Sequence, residues 1–182
     1  MSTDSPNTNN SAPPLCGNGH AEKQSGRADP QSDSSLGAVY SSAQNVLEQC
    51  RNMVAALPNA TVYTTVSRHV PGSTIGKHVR HLCDHFRLLL EATATSSAEP
   101  TGLQPTVSYD GRKQGTAIET DRAAGVEHID FLLHKLSSMR NISNLQTIRV
   151  EALVRADAQH SVALESTFGR ELWFCTHHAG DY

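Results

Sequence analysis

The chain has 182 residues, a net charge of −3 and ten histidines, a length that suits one domain. Lysines and arginines form no run or stripe, which argues against tracking of a nucleic-acid backbone or an anionic membrane. No apolar stretch approaches the roughly 18 residues of a membrane span, and the first 30 residues lack the basic and apolar regions of a secretory leader.

Residues 1–33 are Ser, Asn, Pro, Gly and Asp with scarcely a large apolar side chain. Such a segment buries too little surface to offset its ordering entropy, so a disordered tail is expected there, followed by one domain over 34–182. Leu36, Val39, Tyr40, Ala43, Val46, Leu47, Cys50, Val54 and Leu57 follow the i, i+3, i+4, i+7 rule. They predict an amphipathic helix capped by Ser34 or Ser35 and ending before Pro58.

After a loop through Pro71–Gly72, Ser73 reads as the N-cap of a second helix reaching about Ala94. Ile75, Val79, Leu82, Phe86, Leu89 and Leu90 form its apolar stripe, and His78, His81 and His85 share that face because three- and four-residue steps stack on adjacent turns. The segment 97–119 is long for a loop and could be a crossover that lets the second and third helices lie parallel. Thr120 to about Met139 gives the third helix, with Asp121 suited to its positive end. Alternation over Thr147–Val154 and Ser161–Glu165 predicts a hairpin. Ser166 or Thr167 then starts a fourth helix whose buried side is read as Phe168, Leu172, Trp173 and Cys175, with His177 and His178 at its end. The class expected is mainly all-α.

Two helix starts share a word, Ser73-Thr74-Ile75-Gly76-Lys77 and Ser166-Thr167-Phe168-Gly169-Arg170. Shared capping chemistry, with a small residue where helix starts pack closely, explains it; a diverged duplication is the alternative. The four cysteines (Cys16, Cys50, Cys83, Cys175) are scattered, which fits reduced thiols in a cytoplasmic protein better than a disulfide framework. Cys83 and Cys175 fall inside the His-bearing segments, where burial or thiolate ligation are the two roles open to them.

Imidazoles from two helices can hold a transition metal when they converge. The second helix offers His78, His81 or His85, and the fourth offers His177 or His178. Asp181, four residues beyond His177, would complete a two-His-one-carboxylate set with an open position. The same histidines could instead bond to backbone or to Asp84. His69, His128, His134 and His160 read as surface or satisfied core positions. Nothing in the chain matches a phosphate loop, a serine nucleophile elbow or an H-E-x-x-H zinc motif.

The run Gly76-Lys77-His78-Val79-Arg80-His81-Leu82-Cys83-Asp84-His85-Phe86 resembles the second-helix signature of DinB-like proteins. Tyr109-Asp110-Gly111-Arg112, Glu119-Thr120-Asp121 and Gly169-Arg170-Glu171-Leu172-Trp173-Phe174 before His177 resemble one branch of that superfamily in order and spacing. The likeness runs from about Ser35 to His178. It implies a four-helix bundle with a long crossover after the second helix, and a divalent metal, zinc or similar, held by one histidine of that helix and an H-x-x-x-H pair of the fourth. Among relatives are thiol-dependent transferases and isomerases and the metal-binding domain of sulfoxide synthases.

Carried over by position, the resemblance makes His81 and His177 ligands and puts Asp181 where the second histidine of the pair would stand. Arg80, Tyr109 and Glu119 are expected to line the pocket. Because the sequence reads Ala179-Gly180-Asp181-Tyr182, two accounts stay open: a site altered at Asp181, or a fourth helix cut short. The functions expected are a metal-dependent transferase or hydrolase acting on a small thiol or another small molecule, or a non-catalytic bundle used for interaction after losing its metal. A shortened fourth helix would leave apolar surface that a second copy could cover, making a homodimer.

Overall fold

The computed structural model describes residues 30–98, 104–111, 114–155 and 160–180. The protein is mainly helical with a small three-stranded sheet. In chain order the elements are α1 (Pro30–Ala55), α2 (Ala60–Thr64), α3 (Ile75–Ala98), β1 (Thr106–Val107), α4 (Ala117–Thr120), α5 (Arg122–Ser138), β2 (Thr147–Ala152), β3 (Val162–Thr167) and α6 (Phe168–Gly180). None of the described helices is long and apolar enough to cross a membrane.

The expected tail lies outside the described residues as far as residue 29. α1 begins inside it, at Pro30, so Ser34 and Ser35 are helical rather than capping residues. Proline suits a first turn because its φ is already helical and its missing N–H would have no partner there. Tyr40, Ala43, Leu47 and Val54 of α1 are buried, and the Tyr40 hydroxyl donates to the Met139 carbonyl beyond α5.

α2 has no counterpart in the periodicity, being one turn long. Asn59 caps it by accepting from Val62 N at 3.1 Å, and its role is to deliver Tyr63. That fully buried ring donates to Ile118 O at 2.6 Å and packs on two glycines, Gly76 of α3 and Gly125 of α5. A Cβ at Gly76 would overlap both the Glu119 carbonyl and Tyr63. Glycine there lets α3 start against α4.

α3 is capped by Thr74, whose Oγ1 accepts from Lys77 N at 3.1 Å. Ser73, the expected cap, sits one residue too early; its hydroxyl lies 2.5 Å from His78 Nε2. Val79, Leu82, Cys83, Phe86, Leu89 and Leu90 form the buried face of α3. The long segment after it holds β1 and α4, both too short to leave a periodic trace. α5 is N-capped by Asp121, whose side chain accepts from Ala123 N, and buries Ile129, Leu132 and Leu136.

The expected hairpin is present: β2 and β3 are antiparallel with Thr147 opposite Thr167 and Ala152 opposite Val162. β1 adds in parallel on the other side of β2. α6 follows β3 with no connector. Its first N–H groups are met by Gln146 O, Asn144 O and the Thr167 hydroxyl, so the helix start is satisfied by the segment leading into β2. Gly169 lies against Asn144 with no room for a Cβ. In both shared words, therefore, threonine caps and glycine permits close approach.

Replacing Gly76 by alanine is expected to destabilise the fold by about 1–3 kcal/mol through overpacking, whereas Gly37→Ala, where nothing lies within 4 Å of the new carbon, should be neutral or stabilise by up to about 1 kcal/mol. Urea unfolding midpoints of the two variants measure the contrast.

Candidate metal centre

α3 and α6 approach each other so that imidazoles from both helices meet. His81 Nε2 lies 2.9 Å from His178 Nε2, and one nitrogen from each of His81, His85 and His178 falls within a common 4.8 Å. Ring centroids are 4.7 Å apart for His81 and His85, 5.0 Å for His81 and His178, and 4.5 Å for His85 and His178. His85 is buried and the other two are half-buried.

The tautomer of His85 follows from its partner. Its Nδ1 is 2.8 Å from the His81 carbonyl, which can only accept, so Nδ1 carries the proton and Nε2 presents a lone pair. A backbone carbonyl holding the second nitrogen of an imidazole is the usual outer partner of a metal-ligating histidine. Two nitrogens each about 2.1 Å from one ion stand at most about 4.2 Å apart, so small turns of the rings would bring all three into range.

Aromatic rings wall the cluster. Tyr109 stacks on His85 with centroids 5.3 Å apart and planes 20° apart, and Phe174 stacks on His178 at 5.7 Å and 15°. Behind Tyr109 lies Glu171, which is fully buried. Its carboxylate accepts from the Tyr109 hydroxyl at 3.0 Å, the Ser166 hydroxyl at 2.6 Å and Arg170 Nη1 at 2.7 Å. Burial, with Cys175 and Glu171 nearby, raises the Tyr109 phenol well above its ordinary range, so it remains a donor.

Cys175, 3.7 Å from that hydroxyl, is pushed up to about 12 by burial and stays a thiol. Cys83 is also buried and also raised by desolvation. Neither belongs to the imidazole cluster.

The site residues expected from sequence fall in three places. His81 is at the centre of the cluster. His177 is not in it: the side chain is exposed and its ring stacks on Trp173 at 5.3 Å and 6°. Asp181 lies outside the described residues. His85 and His178 complete the set instead, and their signal was visible as the four-residue step from His81 to His85 and the adjacent histidine in α6. His78 turns toward Ser73.

Asp84, the acidic neighbour named as an alternative partner for the histidines, is held by Arg80 at 2.8 Å and Arg87 at 3.2 Å. Arg80 Nε also approaches Glu119 Oε1 to 2.7 Å, off the N–H axis and hence an ion contact rather than a hydrogen bond. Arg80 and Glu119 thus tie α3 to α4, while Tyr109 of the expected pocket trio stacks on the cluster histidine His85.

No protein-family model matches the chain, and no solved structure matches it. Among curated proteins, FK506-binding protein 5 of Rhizopus delemar is similar over 73 residues at 32% identity, covering 40% of this chain and 19% of that protein. The chain therefore spans under a fifth of that relative's length.

Tyr109→Phe keeps the ring on His85 but removes a donor from the buried Glu171 carboxylate. It is expected to cost about 1–3 kcal/mol, read from denaturant unfolding of the variant against the parent chain.

Proposed function

We propose that this protein is a DinB-like four-helix bundle that binds one divalent transition-metal ion through His81, His85 and His178, and that the remaining coordination position serves transferase or hydrolase chemistry on a small molecule. The observation that carries the reading is the convergence of three imidazoles from two helices on one point. The order of the four longer helices α1, α3, α5 and α6, with the hairpin before the last, supports the bundle and its resemblance.

The donor set fits the ion. Three neutral imidazoles suit zinc, copper, iron or nickel and are poor ligands for magnesium or calcium, and three protein ligands leave a place for water or substrate. An ion held there supplies Lewis acidity, able to polarise a thiol or a water molecule. The chain's own residues do the positioning: the His81 carbonyl fixes the His85 tautomer, Tyr109 and Phe174 hold two rings in plane, and the apolar walls limit access of bulk water. A small thiol is the substrate class that the resemblance suggests.

Cobalt or zinc titration of the chelator-treated chain is expected to give one bound equivalent. His178→Ala and His85→Ala should weaken binding by at least about tenfold, while His177→Ala leaves it unchanged. Binding should also weaken on acidification, because protons compete for the imidazoles. A bound ion at 100 times its dissociation constant should stabilise the fold by about 2.7 kcal/mol. Equal or near-zero occupancy in the parent chain and His178→Ala would refute the assignment.

A non-catalytic interaction role is a second reading, favoured by the exposed Leu153, Val154, Val162 and Leu164 on and beside the β2–β3 hairpin. It is supported if a chelator leaves the melting temperature where it was.

A further inference from the structure

A cavity of about 500 Å³ opens between α1 and α3 beside the last turn of α6. Its walls are Val46 and Met53 from α1, Ile75, Val79 and Leu82 from α3, and Ala179 from α6. Gln49, Cys50 and His78 give it a polar edge. Among the described residues no Asp, Glu, Lys or Arg lines it, and burial pushes the Cys50 thiol up to about 11, so that group adds no charge.

Size and polarity select the occupant. Two turns of helix about 10 Å wide and 11 Å long need roughly 850 Å³, more than the space available. A protein partner would engage about 20–30 residues a side, against the nine described residues that line this hollow. Volumes of about 300–1,000 Å³ with apolar walls and a few polar groups are instead those of small-molecule sites. His78 shares α3 with the imidazole cluster but is drawn to Ser73, which places it at the cavity and apart from the three converging rings.

We infer that this cavity is a binding site for an uncharged, largely apolar small molecule carrying a hydrogen-bonding group that Gln49 or His78 can meet. The site does not require a metal, so its test stands apart from the metal reading.

The probe is 1-N-phenylnaphthylamine, an uncharged dye that brightens in apolar surroundings, titrated into the full chain after chelator treatment. Saturable binding of one equivalent is expected. At saturation the dye should slow alkylation of Cys50 by N-ethylmaleimide, followed on the Cys50 peptide by mass spectrometry, by at least about tenfold, while leaving alkylation of added glutathione unchanged. Met53→Glu, at an exposed wall position, should weaken dye binding by about tenfold or more, because a carboxylate would have to shed water against the ligand. Absence of saturable binding overturns the proposal. So does binding that leaves the Cys50 alkylation rate unaltered, since the dye would then sit elsewhere, such as on the apolar hairpin.

Discussion

The rotational setting of α6 is the constraint on which the cluster depends. Each residue advances about 100° around a helix, so which of two adjacent histidines faces α3 is decided by which side chains upstream are buried. Phe168, Leu172 and Cys175 are buried apolar groups and Glu171 is buried with them, whereas Trp173 is 54% exposed. This setting carries His178 inward and leaves His177, one turn beyond Trp173, outside with its ring on the indole. Glu171 is the costly member of the buried set. A carboxylate removed from water must be fully bonded, and it is, by Tyr109, Ser166 and Arg170.

That carboxylate joins packing to the site. Tyr109 reaches it with the hydroxyl and covers His85 with the ring, and Arg170 reaches it while its guanidinium lies over Phe174, which in turn stacks on His178. Two of the three converging imidazoles are thus backed by groups that end on Glu171. The third, His81, is held through the α3 backbone and its contact with His178. Bracing of this kind limits how far the rings can turn, so the small rotation that the proposed ion needs would be a confined one.

Much of the frame was legible in the sequence. The stripes of α1, α3 and α5 and the alternation of the hairpin gave those elements, because each is long enough for its period to repeat. α2, α4 and β1 were not legible, since elements of two to five residues hold at most one period. His81 and His177 were both placed by position within the resemblance, His177 as the first histidine of the fourth-helix pair, and Trp173 was read separately as buried. Had it been, His177 four residues on would have faced α3. The core takes Glu171 instead, bonded by its near neighbours Ser166 and Arg170 and by the distant Tyr109, a choice that the apolar pattern of α6 does not mark.

The direct passage from β3 to α6 has a mechanical meaning. Thr167 is still paired with Thr147 when Phe168 begins the helix, so there is no slack in which the helix could swivel. Exchanging one terminal imidazole for its neighbour would wind the strand's end away from its ladder. The sheet acts as a set screw on the rod that bears His178.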